Sequence, residues 1–473
     1  MSGKRVFVVD AGGRGNAIAH AFARSAAVER VFVAPGNAGS EMMDKCRLAE
    51  VQGKPPKTIN EMLAFAEQEK IDLTFVGPEG YLSDGIVDVF EENGQRILGP
   101  KKRAAILENS KCTTKEILKG LNVPVPQCEN FDRPEEAKQY VRQFFVENRD
   151  AGLVIKADGL AAGKGSIVCA TEEEALSTID RIMVEPRLFG RAGDRIEIER
   201  RLDGRELMFF ALSDGRTIIP LQSALDYKQA FSENEAVAVR LFNKLSSNPN
   251  LDNNPNTGGM GGFSPHPWLD EELTDKIMNR IAVPTVRGFR ESTGQPYVGV
   301  IYFGLMVSPE REPSVLEINV RLGDPETEVI LPRLETDFFH ICDAILDEKL
   351  DSVALQWSND FCLGVCAVSG RAIKPLSSGG NGERPGYPGE HYTNMPITGL
   401  EKVDPDVLVY HNGTAFGQDA AGKRRLFTTG GRVLTLVARG QSLAEARVKA
   451  YDNIKRIRFN GMRYRKDIGQ GYV

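Results

Sequence analysis

In Lys156-Ala-Asp-Gly-Leu-Ala-Ala-Gly-Lys-Gly165 an apolar stretch ends in a lysine, then enters a loop with three glycines and a second lysine. Glycines let the backbone approach anion oxygens closely and turn several N–H groups inward as a nest. Lys156 and Lys164 add point charges. The order of a Walker loop is absent, and a strand pattern rather than a helical one follows at 166–170. A glycine-rich hairpin with solvated lysines has the same local appearance.

The downstream sequence separates the two possibilities. Glu317-Ile-Asn319 places a carboxylate and an amide on one face of a strand, because side chains alternate. Hard oxygen donors of this kind suit magnesium bridging nucleotide phosphates. Arg321-Leu-Gly-Asp324-Pro-Glu326 follows at once, and Arg321 is placed to stabilise charge on a transferring phosphoryl group.

Working outward, 473 residues are too many for one hydrophobic core, so about three domains are expected. A net charge of -6 offers no general attraction for a nucleic-acid backbone or an anionic membrane, which favours a local site for a small anion. No stretch approaches a membrane span, and Asp10 interrupts the apolar run at 6–9 too early for a signal peptide. Seven scattered cysteines read as buried free thiols of a cytoplasmic protein, and Cys362 and Cys366 lack the partners of a zinc site.

Strand patterns at 5–9, 30–34, 73–76 and 96–98 alternate with helical ones at 16–26, 59–69 and 82–92, which predicts a parallel sheet. Its ligands belong at the carboxyl ends of the strands, in the turns 10–15, 35–39 and 77–79. Helices are expected at 101–121, 134–148, 270–293 and 443–457. Strands are expected at 153–156, 166–170, 195–201, 206–213, 298–307, 314–319, 361–368, 407–414 and 431–438, with a loop at 377–388.

The segments at 34–39 (APGNAG), 72–79 (DLTFVGPE), 156–165 (KADGLAAGKG), 255–261 (PNTGGMG), 317–326 (EINVRLGDPE), 430–433 and 465–469 (RKDIG) resemble the glycinamide ribonucleotide synthetase family of the ATP-grasp superfamily. The resemblance implies an α/β protein. On that resemblance a parallel-sheet domain at 1–105 would bind the amine substrate, and a central α+β ATP-grasp domain would span 106–345, with its nucleotide subdomain at about 125–200. A β-rich α+β domain completes the chain at 346–473. It further implies ATP-dependent ligation of glycine to phosphoribosylamine, with Mg2+ or Mn2+, by a monomer or small homo-oligomer.

Matched motif by motif, Lys111 and Lys156 would hold the ATP phosphates, and Ala162, Gly163, Lys164 and Gly165 would close over them. Glu199, Arg200 and Leu202 would line the adenine and Glu206 the ribose. Glu317 and Asn319 match the metal ligands, while Asp226, Arg321 and Asp324 sit where the family holds glycine and the reacting phosphate. Gly12, Gly13, Arg14, Asn37 and Glu79 map to the turns that cradle phosphoribosylamine.

Three departures from the family stand out. Gly15-Asn16 replaces its Glu-His pair, which is either drift at a helix start or altered handling of the amine. The stretch from Asp226 to Asn256 is longer than usual, with helical spacing at 233–245, and reads as a surface excursion or a lid. Tyr81 stands where a proline is common, next to the presumed sugar pocket. A paralogous ATP-grasp carboxylate–amine ligase acting on a different amine or amino acid in a specialised pathway is the competing expectation. A biotin-dependent carboxylase is disfavoured by PNTGGMG and the absence of a Met-Lys-Met site, and a nucleotide sensor by the retained Glu317, Asn319 and Arg321.

Overall fold

The computed structural model describes residues 3–148, 150–159, 165–184, 187–232, 234–236, 254–370 and 386–473. Ala162, Gly163 and Lys164 of the expected closing loop, most of the expected helix at 233–245 and most of the loop at 377–388 lie outside the described residues.

The N-terminal sheet is parallel, in the order Cys46–Leu48, Val28–Pro35, Lys4–Asp10, Leu73–Val76, Ile97–Leu98. Lys4–Asp10 is central and its Val6, Phe7, Val8 and Val9 are fully buried, as a strand covered by helices on both faces requires. The chain leaves it to one side first and the other side later. Asp10, Pro35 and Gly77 therefore converge at the switch point of the sheet, where ligands of such sheets bind.

The expected helix at 59–69 is Ile59–Glu69, because Thr58 and Glu61 form a reciprocal capping box and Lys70 ends it in the left-handed region. The stretch at 82–92 is two helices, Glu79–Asp84 and Ile86–Glu92, separated by Gly85 at φ 92°. The one at 101–121 also divides, into Ile106–Asn109 and Lys111–Gly120. Ser110 is extended between them and caps the second through Thr113 N–H. That break places Lys111 at a helix start. The helix at 270–293 stays continuous, running from Glu271–Ile277 through a π turn, Met278–Ala282, into Val283–Thr293. The π turn accommodates Pro284, which has no N–H to contribute.

Two antiparallel sheets follow. The first orders as Cys128–Phe131, Ile196–Arg200, Leu153–Ala157, Ser166–Cys169, with helices Pro134–Glu147 and Glu172–Met183 covering its apolar face. Alternation leaves Lys156, Glu197 and Glu199 on the opposite face. The second orders as Ile218–Pro220, Arg205–Asp214, Val298–Val307, Pro313–Asn319 and forms the floor beneath that polar face.

The last sheet takes Leu225–Asp226 and Gly261–Ser264 from mid-chain and pairs them with Phe361–Ser369, Arg432–Gly440 and Leu408–His411. Helix Leu443–Ile454 packs on it. The single strand expected at 407–414 breaks after His411, and Thr414–Gln418 joins a separate sheet with Arg424–Thr428 and Pro396–Ile397. Gly413 sits at the break, where a Cβ would stand 2.5 Å from Gly430 N. All seven cysteines are buried and free, and among the described residues no helix is long and apolar enough to cross a membrane.

Candidate active site

A cleft of about 730 Å³ lies between the two antiparallel sheets and opens toward the switch point of the N-terminal sheet. Its lining includes Arg14, Glu79, Lys111, Lys156, Gly165, Glu199, Arg200, Leu202, Glu206, Asp226, Glu317, Asn319, Arg321 and Asp324, all of them expected site residues. The structure thus assembles on one surface groups that are 310 positions apart between Arg14 and Asp324 (324 − 14).

On the nucleotide side, Lys156 is only 4% exposed. Its Nζ lies 2.6 Å from Glu199 Oε2 and 3.7 Å from Glu197 Oε1, and donates to Leu316 O at 2.8 Å. Lys115, which the sequence analysis did not single out, pairs with the other Glu199 oxygen and donates to Val315 O at 2.8 Å and Leu316 O at 3.1 Å. Two buried ammonium groups thus tie the upper sheet to the floor through backbone carbonyls. Burial opposes ionisation of Glu199, yet Lys156 and Lys115 hold its carboxyl down to about 2. For neighbouring Glu197, burial dominates and pushes the carboxyl up to about 8, so it keeps a proton at neutral pH.

The glycine loop is anchored at its start. Asp158 accepts from Cys112 N at 3.2 Å and Ser110 Oγ at 3.1 Å, at the N-terminus of the helix Lys111–Gly120. Lys111 Nζ donates to Gly159 O at 3.1 Å. Glu206 is exposed, with Lys228 Nζ 3.4 Å from its carboxylate.

Glu317 lies across Gly304 of the adjacent strand, where a Cβ would come within 2.9 Å of Glu317 Cγ. Among the described residues no three His, Cys, Asp or Glu side chains surround a single point. Were a cation held here by Glu317 and Asn319, phosphate and water oxygens would complete its shell. Magnesium tolerates that arrangement well. Arg321 donates to Asn319 Oδ1 at 3.1 Å, Glu108 Oε1 at 3.0 Å and Glu79 Oε2 at 3.3 Å. Against burial, Arg321 and Arg14 hold Glu79 below the usual carboxylate range.

On the amine side, Asp10 orders the first turn. It accepts from Gly12 N at 2.8 Å and Arg14 Nε at 2.7 Å, while Arg14 also donates to Leu322 O at 3.1 Å. Arg14 and Glu79 line the cleft; Gly12, Gly13 and Asn37 are not part of its lining. The Asn37 side chain accepts from Gly39 N and donates to Ala11 O at 2.9 Å and His411 O at 2.6 Å. Asp324 pairs with Arg432 at 2.6 Å, and Arg432 also donates to Gly258 O at 2.6 Å and Gly259 O at 3.4 Å. Gly259 has φ 109°, and a Cβ there would strike Pro325 Cδ at 2.2 Å, so the PNTGGMG turn and the GDPE turn fit only with glycine between them. Asp226 Oδ1 is buried without a hydrogen-bond partner among the described residues, and burial with the nearby Glu326 charge keeps its carboxyl well above the usual range.

The described residues of the three departures have defined surroundings. Asn16 is 1% exposed; it donates to Asn37 Oδ1 at 3.0 Å and Ser40 Oγ at 3.2 Å and accepts from His411 N at 2.9 Å. Gly15 packs on Asp10, where a Cβ would stand 2.6 Å from Asp10 Cβ. Both residues serve the framework of the turn. Tyr81 is outside the cleft lining, its hydroxyl directed to Lys57 O at 3.5 Å. The long excursion leaves and re-enters through Thr257 N to Lys228 O at 2.7 Å and Ala230 N to Pro255 O at 3.0 Å, at the cleft rim.

Lys115, Glu108, Lys228 and Arg432 line the cleft as well, though none of them was an expected site residue. Arg432 alone had a signal, being part of the matched segment at 430–433.

Residues 4–108, 109–327 and 384–471 match the N, ATP-grasp (A) and C domains of phosphoribosylglycinamide synthetase. A phosphoribosylamine–glycine ligase of Archaeoglobus fulgidus is 46% identical over 98% of this chain and 99% of its own. The crystal structure of phosphoribosylamine–glycine ligase from Thermotoga maritima covers 98% of this chain and 100% of its own, with a TM-score of 0.77 and 28% identity. A biotin carboxylase of Campylobacter jejuni, at 15% identity and a TM-score of 0.64 over 97% of this chain and 92% of its own, shares the fold alone. Three domain matches in order and a full-length relative at this identity show that the chain belongs to the phosphoribosylglycinamide synthetase family.

Proposed function

We propose that this chain ligates glycine to 5-phosphoribosylamine at the expense of ATP, giving glycinamide ribonucleotide, ADP and phosphate in purine biosynthesis. The observation that carries this is a single cleft joining Lys111, Lys156, Glu317 and Asn319 to Arg14, Arg321 and the Asp324–Arg432 pair. Lys111 and Lys156 hold the ATP phosphates, Glu199, Arg200 and Leu202 border the adenine, and Glu206 meets the ribose. Magnesium or manganese held by Glu317 and Asn319 would neutralise phosphate charge.

The glycine carboxylate attacks the γ-phosphate, giving glycyl phosphate and ADP. The amine of phosphoribosylamine then attacks the acyl carbon, phosphate leaves, and the nitrogen loses a proton as the amide forms. Arg321 faces the transferring phosphoryl group, and Asp226 and Asp324 hold glycine. Arg14 and Glu79 meet the amine substrate, with Gly12, Gly13 and Asn37 shaping the turn behind them. Most of the acceleration is positioning and charge neutralisation, for which oriented reactants contribute roughly 7–11 kcal/mol. Seven buried free thiols suit a reducing compartment such as the cytoplasm.

ADP release is the test, measured with glycine alone, with phosphoribosylamine generated in place, and with both. Turnover that requires both, with glycinamide ribonucleotide as product, is expected. Turnover with other amines but not with this one overturns the proposal.

A further inference from the structure

One ionisable group near the site lies behind the cleft wall. Glu328, on the short helix Glu326–Ile330, is 0% exposed, and neither of its carboxyl oxygens receives a nitrogen or hydroxyl donor among the described residues. It faces the amine-side turn together with Asp324. A Cβ on Gly13 would stand 2.5 Å from Glu328 Oε1, and one on Gly12 would stand 3.4 Å from Asp324 Oδ2. Successive glycines thus let two carboxyls press on one turn.

Two carboxyls that share a buried site do not both ionise. Asp324 has Arg432 at 2.6 Å, whereas Glu328 has no cation at ion-pair distance among the described residues. The proton of the pair therefore belongs to Glu328. Burial and the Asp324 charge raise Glu328 well above its usual range, while Arg432, the Glu328 hydrogen bond and Arg14 outweigh burial at Asp324 and lower it.

The other groups facing this pair leave the proton there. The helix Gly13–Ala23 contributes Arg14, itself bound to Asp10. Strand Arg432–Gly440 contributes Arg432, and strand Leu408–His411 contributes the Tyr410 hydroxyl, which burial raises. Strand Phe361–Ser369 contributes Cys366, pushed up to about 12 by burial. Arg333 of the adjoining 3-10 turn is engaged with Ser264, Ser358 and Asp360, and strand Gly261–Ser264 carries no titratable side chain.

We propose that Glu328 is a positioning residue for the ligation: as the protonated member of a carboxyl pair it donates to Asp324. It thereby keeps one negative charge aimed at the junction of the acceptor turn and the glycine site. Raising the pH until Glu328 ionises adds a second charge, breaks that hydrogen bond and disorders Asp324. This inference rests on the assignment of Asp324 to the substrate pocket.

The test compares Glu328→Ala, Glu328→Gln and Asp324→Asn in the full-length enzyme, reading kcat and KM for glycine from pH 6 to 10. Glu328→Ala is expected to lower kcat/KM by roughly tenfold, the scale of one lost buried hydrogen bond to a charged group. Glu328→Gln, whose amide donates as the carboxyl does, is expected to restore most of it at pH 7. It should also keep activity at alkaline pH, where the wild type declines. An inactive Glu328→Gln at pH 7, or an alkaline limb identical to that of the wild type, overturns the inference even if the alanine variant fails to fold. Asp324→Asn separates the two levels. If it keeps the wild-type rate, the substrate role of Asp324 falls and this inference with it; if it is inactive while Glu328→Gln changes nothing, only the role of Glu328 falls.

Discussion

The two halves of the cleft are built differently. The nucleotide half rests on neighbouring strands: Lys156 and Glu197 are register partners, and Glu199 lies two residues along. Its charges are matched by Lys115 and Lys156 at close range. The amine half is assembled from remote pieces, with Asn37 bonded to His411, Gly13 to Asn412 and Asp324 to Arg432. The first half can form within one unit of the fold, whereas the second exists only when the N-terminal and C-terminal sheets meet.

That contrast can be broken or sharpened by measurement, beginning with the largest expected effect. Lys115→Met leaves Glu199 with one ammonium partner instead of two in a buried site. A stability loss of about 3–5 kcal/mol is expected, read by denaturant titration. Glu317→Gln should cost roughly 10²–10³ in kcat with binding of phosphoribosylamine unchanged. Near-normal ADP release in that variant would remove Glu317 from the metal site.

Acid should weaken the amine half through His411. Burial lowers the His411 imidazole to about 4, from an unfolded value of about 6.5. With the folded value depressed, its stabilising contribution is complete above pH 6.5 and is lost as pH falls toward 4. The loss approaches about 3 kcal/mol, and His411→Gln should remove that share of the acid limb, leaving the shares of His20 and His266, which burial also lowers to about 4. Asn16→Ala removes three buried hydrogen bonds of the turn. It should cost about 2 kcal/mol and raise KM for phosphoribosylamine while leaving KM for ATP unchanged. Tyr81→Phe, outside the cleft, should change either KM by less than about twofold and stability by less than about 0.5 kcal/mol. A larger rise in the amine KM would place Tyr81 at the sugar pocket after all.

The same contrast governs what was legible in the sequence. Helix Ile59–Glu69 was legible from its amphipathic spacing, and the Glu317–Asn319 face followed from simple alternation. Such signals lie within a few residues of one another. Strands Leu225–Asp226 and Gly261–Ser264 gave no sign, since Gly-Gly-Phe-Ser has no strand pattern and is extended because Phe361–Ser369 pairs with it. Lys115 has no local mark in its helical stretch, and its role exists only because the floor strand places Val315 O and Leu316 O against it. Asn412, which braces Gly13 across 399 positions, has no local signature at all.

The bond from Asn37 to His411 spans 374 positions, which sets a schedule during synthesis. At about 5–20 residues per second, His411 follows Asn37 out of the ribosome by tens of seconds. Throughout that interval the nascent N-terminal unit displays its strands and turns without the brace that shapes the acceptor pocket. A chain stopped before residue 411 would therefore contain every nucleotide-side residue and still lack a finished place for the amine. Competence arrives late in translation and in one step, when the last sheet docks.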